Sequence, residues 1–145
     1  IDMWTRSYSI IVKDVSLEVL WTVWSDSNQW HTWKNNIEFA KIEGAFETGN
    51  SFVFKPKSGL RLVVGLPEVN PNKNFITATL FFGATMCDNH ELIERADGIE
   101  VKITINIDGI LSWVWRKIVA EGVVAGLPGQ TEAMIARALK IQQKN

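Results

Sequence analysis

Asp88, His90 and Glu94 fall two and four positions apart in the stretch C-D-N-H-E-L-I-E, a spacing that puts all three on one face of an extended strand. Histidine has a reference pKa of about 6.5, and a neighbouring carboxylate can orient it, so His90 with Asp88 has the makings of an acid–base pair. The competing reading is plainer: an inward polar residue bonded to backbone or to Tyr8 at the mouth of a sheet. Cys87 shares the opposite parity with Asn89 and Glu91 and reads as an inert, outward thiol. Residue supply limits other chemistry. His31, His90 and Cys87 are the only soft ligands, so no zinc pattern exists and no metal is expected. There is no G-x-S-x-G, P-loop or dinucleotide fingerprint, and no cofactor is expected.

The elements that must carry this face are strands. Met86 to Ala96 reads as one, and Asp97-Gly98 is a hairpin signal because a type I′ turn needs positive φ at both central residues. Such a turn opposes Ala96 with Ile99, Arg95 with Glu100, Leu92 with Ile103 and His90 with Ile105. Ile99, Val101, Ile103, Ile105 and Ile107 then mark the inward face. Upstream, Asn74 to Phe82 alternates, with Ile76, Ala78, Leu80 and Phe82 on one side and Thr77 and Thr79 on the other. Met3 to Lys13 is a further strand with Trp4, Arg6, Tyr8, Ile10 and Val12 inward. Phe52 and Phe54 belong to a strand that ends at Pro56, and Ser58-Gly59 turns the chain into a strand over Leu60 to Leu66. Arg61 faces in or out according to the loop length, and Pro67 blocks continued central pairing.

Helical spacing occurs at both ends. Ser16 is placed to cap a helix that runs to about Trp24, with Glu18 near its positive end. A second, shorter helix ends near Trp33, with His31 on its surface. At the other end, Ile110 to Ala120 and Gln130 to Gln142 read as helical, joined through Gly122, Gly126 and Pro128 in what suggests a kink. Met134, Ile135, Ala138, Leu139 and Ile141 form the apolar stripe of the last segment.

The most informative window is Trp21 to Gly49, where a helix, a kink, a short helix and a strand follow an N-terminal strand. Its residues Glu18, Trp21, Ser25, Asp26, Trp30, Trp33, Ile37, Ala40, Glu43, Gly44, Phe46 and Gly49 resemble the pattern of the START-like (Bet v 1-like) superfamily, and within it the polyketide cyclase/dehydrase and lipid-transport family. The resemblance continues at Asp97-Gly98 and at Gly126 to Pro128, and so spans nearly the whole chain. Two positions depart from it: Ser16 or Leu17 stands where proline is common, and Lys13 where an apolar residue is usual. The resemblance implies an α+β helix-grip fold: about seven antiparallel strands wrapped around a long C-terminal helix, with two short helices after the first strand. It also implies a cavity between sheet and helix, in which members bind lipids, sterols or polyketides and some catalyse cyclisation or dehydration.

Composition bounds the function. The 145 residues fit one domain over 1–145. A net charge of -1 with interspersed signs supplies no basic face for nucleic acid. No apolar run is long enough for an integral membrane segment, and no signal-peptide pattern is read. The chain starts at Ile1, which leaves a processed N-terminus open. The lone Cys87 suits a cytoplasmic location, and a weak homodimer is left open.

Seven Trp and seven Phe exceed what a compact core of this size needs and favour an aromatic-walled pocket. The expected activity is binding or carriage of a hydrophobic small molecule, with Tyr8, Trp33, Phe52, Phe54, Phe82, His90, Leu92, Ile103, Ile105, Met134 and Leu139 around it. The alternative is an aromatase/cyclase- or dehydratase-type enzyme in which His90, assisted by Asp88, moves protons. A third class is an interaction module docking through Trp113 and Trp115.

Overall fold

Seven runs of β-branched and aromatic residues, each bounded by turn formers, pair into one antiparallel sheet in the computed structural model, which describes residues 3–144. The strands are β1 Trp4–Val12, β2 Ile37–Ile42, β3 Ser51–Pro56, β4 Leu62–Asn70, β5 Asn74–Phe81, β6 Ala84–Arg95 and β7 Gly98–Asp108. Their order is β1-β7-β6-β5-β4-β3-β2, so β1 and β2 form the two edges. Helix α1, Leu17–Ser25, and a 3-10 helix, Ser27–Thr32, separate β1 from β2. Ser16 caps α1 through its hydroxyl, which accepts from the Val19 amide at 3.1 Å.

The C-terminal helix is continuous for 32 residues. It comprises α2, Ser112–Trp115, a π-helical turn, Arg116–Ala120, and α3, Glu121–Gln143. Pro128 and the glycines expected to separate two helices lie inside α3. Glycine weakens a helix by only about 1 kcal/mol, and packing on the sheet outweighs it. The buried positions Leu127, Thr131, Met134 and Ala138 recur at helical spacing and form the stripe that meets the sheet. Gln142 ties the end of α3 to the start of α1: its Oε1 accepts from the Ser16 amide at 2.8 Å and its Nε2 donates to the Asp14 carbonyl.

Three further features differ from the sequence-based expectation. The β6–β7 register is two residues away from it: Arg95 pairs with Gly98, Leu92 with Val101 and His90 with Ile103. The loop is Ala96-Asp97, and neither residue has positive φ. Gly98 is instead required for space, because a Cβ there would lie 2.5 Å from the Val12 carbonyl oxygen of the neighbouring strand. A shift of two keeps every side chain on its expected face, so Asp88, His90 and the isoleucines still point inward. Arg95 still meets Glu100, now as a diagonal neighbour at 2.7 Å.

The second difference is β4, which runs through Pro67. Pairing jumps from Gly65↔Ala78 to Glu68↔Ile76, a bulge in which proline's missing N–H breaks no ladder bond. The third is the phase of β5. Phe75, Thr77 and Thr79 are buried, whereas Leu80 and Phe82 stand in solvent, with Phe82 83% exposed.

Around Phe75 the interior is aromatic. Its ring stacks on His90 at 4.1 Å and takes the edges of Trp24 at 5.6 Å and Phe46 at 5.0 Å. Trp30 lies edge-on to Phe52 at 5.4 Å and donates its indole N–H to the Trp24 carbonyl at 3.1 Å, fastening the 3-10 helix to α1. Each such ring pair adds about 0.5–1.5 kcal/mol beyond the area it buries.

The tight approach at Gly98 gives a direct test. Gly98→Ala should destabilise the fold by about 1–3 kcal/mol, because the added methyl meets backbone that cannot rotate away. Urea denaturation should show a lower midpoint, and an unchanged midpoint would refute the contact.

Candidate functional site

Between the sheet and the C-terminal helix lies a cavity of about 670 Å³, within the range of small-ligand pockets. Its floor is Trp24, Trp30 and Phe75, its sides are Phe52, Phe54, Val64 and Phe81 from the sheet, and its roof is Val119, Val123 and Leu127 from the helix. Gly122 and Gly126 also face it, and a Cβ built on Gly122 meets nothing within 4 Å. The space therefore exists partly because the helix has no side chains at those two positions. Leu60, 84% exposed, and Ile118, 66% exposed, line the cavity and also meet solvent, which sets its mouth between the β3–β4 loop and the π-helical turn.

Three titratable side chains line this largely apolar space: Lys34, Asp88 and His90. Lys34 follows the 3-10 helix, whose last turn is closed by its amide bonding to the Trp30 carbonyl at 2.8 Å. Its Nζ sits 4.3 Å from the centroid of Trp30 and 5.3 Å from that of Trp33, a cation–π arrangement, and it forms no ion pair among the described residues. Burial lowers its pKa to about 8, against a raising influence from Asp88. Asp88 is pushed up to about 7 by burial, opposed by the Lys34 charge, and its buried Oδ1 has no hydrogen-bond partner. His90 is driven down to about 3 by burial and by Lys34, and its buried Nδ1 is also unpartnered. At neutral pH the histidine is therefore uncharged, although backbone hydrogen bonds at Phe75 and Asp88 raise its pKa in part, and its Nδ1 makes no bond to the Asp88 carboxyl. Thr131 of α3 brings a third buried unpartnered atom, Oγ1, to the same space.

Of the residues expected around the ligand, Trp33, Phe52, Phe54, His90 and Ile103 line the cavity, together with Asp88. Six do not. Phe82 points to solvent because β5 has the opposite phase. Leu92, Ile105 and Met134 are buried in the core and do not reach the cavity wall. Tyr8 lies on edge strand β1, partly buried against that core, and Leu139 lies beyond the hollow stretch of α3. Glu94 keeps the inward parity but is exposed past the end of the core, so it does not join His90. Arg61 is exposed, its guanidinium 5.4 Å from the Phe39 ring. Burial raises the Cys87 thiol pKa, consistent with an inert cysteine. Trp115 stacks on Phe81 at 4.6 Å and donates to the Phe82 carbonyl, whereas Trp113 is exposed.

Sequence reasoning missed Lys34, Phe75, Thr77, Thr79 and Thr131. Lys34 had one available signal: it directly follows the W-x-x-W pair, where a long side chain can fold back over both indoles.

No protein-family model matches the chain, and no curated protein sequence matches it. Solved structures do. Ara h 8.0201 superposes with a TM-score of 0.76 at 12% identity, covering 96% of this chain and 99% of that one. Norcoclaurine synthase from Thalictrum flavum, in complex with dopamine and hydroxybenzaldehyde, gives 0.74 at 14% identity, with 96% and 88% covered. A hypothetical protein from Helicobacter pylori gives 0.74 at 13%, with 92% and 87% covered. The chain thus has the START-like (Bet v 1-like) helix-grip fold, and at these identities the likeness shows the fold alone. Among the described residues no helix is long and apolar enough to cross a membrane.

The two buried acid–base groups act oppositely on stability. Asp88 titrates near 3.8 when unfolded and about 7 when folded, so between those values the folded state holds the extra proton and stability falls as pH rises. His90 goes from 6.5 to about 3, so the unfolded state holds the extra proton and stability rises with pH. The slopes oppose each other from about pH 4 to 6.5. Asp88→Asn removes the first, and the variant should gain on the parent by roughly 1 kcal/mol per pH unit across that window. Urea denaturation at stepped pH measures this, and parallel profiles would show that Asp88 ionises as an ordinary carboxylate.

Proposed function

We propose that the protein binds or carries a hydrophobic small molecule, of lipid, polyketide or aromatic type, in the cavity between sheet and C-terminal helix. The observation that carries this reading is the hollow itself: about 670 Å³ walled by indole and phenyl rings, beneath a helix that lacks side chains at Gly122 and Gly126. Dense packing is the default of protein interiors, and an unfilled lining forfeits dispersion contacts. An apolar occupant would recover them. Norcoclaurine synthase, which shares the fold, is described in complex with dopamine and hydroxybenzaldehyde, so that fold accommodates aromatic molecules of this scale.

Catalysis in the same cavity is the second reading. His90 was its natural acid–base candidate, but a histidine that charges only near pH 3 and whose Nδ1 makes no bond to the Asp88 carboxyl is a poor proton carrier at neutral pH. Asp88, near 7 and unpartnered, is the group better matched to that task. Asp88→Asn should then abolish turnover and leave the affinity for an apolar dye unchanged.

Filling the hollow tests the first reading. A Cβ at Gly126 lies 3.6 Å from the Gln130 side chain, an ordinary contact, and glycine is a poor helix former, so Gly126→Phe should fold. The variant should keep its circular dichroism spectrum and midpoint of unfolding but lose at least about tenfold in affinity for an apolar fluorescent dye or decan-1-ol, a loss of roughly 1.4 kcal/mol or more. Unaltered binding would place the ligand elsewhere.

A further inference from the structure

The cavity's polar end has a charge pattern that selects among apolar ligands. We propose that the cavity takes apolar molecules ending in a single carboxylate, the acid group docking between the Lys34 ammonium and the Asp88 carboxyl. This rests on the binding function proposed above and names its ligand class.

Lys34 comes from the segment after the 3-10 helix, and Asp88 and His90 come from β6. The other elements that face the cavity, α1, the 3-10 helix, β2, β3, β4, β5, β7 and the C-terminal helix, bring no titratable side chain to its wall among the described residues. The Lys34 ammonium rests on two indole faces and forms no ion pair among the described residues. Asp88 Oδ1 is buried and unpartnered. A buried ion is costly unless it is paired and hydrogen-bonded, and these two groups leave that requirement unmet.

Charge balance decides between head groups. A carboxylate beside Lys34 supplies the missing counter-ion, and its negative charge next to Asp88 favours the protonated form, which can then donate a hydrogen bond to the ligand. The occupied cavity then holds one positive charge, one negative charge and a neutral acid. An ammonium ligand instead leaves two cations against one carboxylate, and a dianionic phosphate monoester leaves an excess of negative charge. A neutral alcohol fills the same apolar volume but leaves Lys34 unpaired.

The proton balance has a definite sign. Asp88 takes up a proton as the acid binds, so affinity is greatest below its free pKa of about 7 and falls as pH rises through that value. Loss of the Lys34 charge near 8 steepens the fall. An amine held by ionised Asp88 shows the reverse, losing affinity as pH drops below about 7.

Decanoate, decan-1-ol and decylamine, which share one chain length, separate the possibilities by isothermal titration calorimetry between pH 6 and 9. The wild-type protein should bind decanoate about tenfold to a hundredfold more tightly than decan-1-ol at pH 6.5. At pH 7.5, buffers of different ionisation enthalpy should report net uptake of roughly half to one proton per decanoate. Lys34→Met should erase the preference for acid over alcohol. Asp88→Asn should keep the preference and lose most of the uptake.

The uptake measurement needs no variant, so it decides the matter if Lys34→Met fails to fold. Equal wild-type affinity for acid and alcohol, binding without proton uptake, or tightest binding of decylamine would each overturn carboxylate selection and leave apolar binding standing. Failure of all three compounds to bind would overturn both.

Discussion

The parallel stack of Phe75 on His90 is the contact on which the site depends. At 4.1 Å, with the edges of Trp24 and Phe46 closing the opposite approaches, it joins β5 and β6 to α1 and to the loop after β2 in one water-poor cluster. The imidazole serves there as a flat, uncharged ring. Its low pKa follows from that enclosure and from the nearby Lys34 charge. Burial likewise raises Asp88 two residues along the strand and lowers Lys34, and the charges of those two groups oppose both shifts.

The interface between sheet and helix divides into two parts. Toward the C-terminus, Met134 and Ala138 are fully buried members of the core, and Gln142 ties that end of the helix to the start of α1. Toward the π-helical turn, Gly122 and Gly126 leave the sheet uncovered, and the cavity opens. The solid half holds the helix in place, and the hollow half leaves the cavity beneath it. A protein that hollowed the whole interface would have little left to keep the helix on the sheet, since each fully buried apolar side chain is worth about 1.5–3 kcal/mol.

Much of this was legible from residue order alone. The two short helices after β1, the strands and the helical C-terminus follow from periodicity, and the inward parity of Asp88 and His90 survived a hairpin displaced by two residues, because sheet faces repeat every two. The phase of β5 was misread for a physical reason. Its cavity face carries Thr77 and Thr79, its solvent face carries Leu80 and Phe82, and hydrophobicity points the wrong way when a strand lines a pocket with polar groups. The glycines and Pro128 of the long helix looked like an interruption, yet the glycines are where the helix makes room. Lys34 was missed, because its place after the W-x-x-W pair tells of two nearby indoles but a linear string does not show the ammonium folded over them.

The irregularity at Pro67 changes how β4 addresses the interior. Up to that point the even-numbered residues Leu62, Val64 and Leu66 face the interior, and beyond it the odd-numbered Val69 does. One strand is thus read in two frames, with proline as the punctuation between them. The half that lines the cavity and the half beyond the bulge therefore each keep their own alternation, so a substitution in one leaves the inward set of the other unchanged.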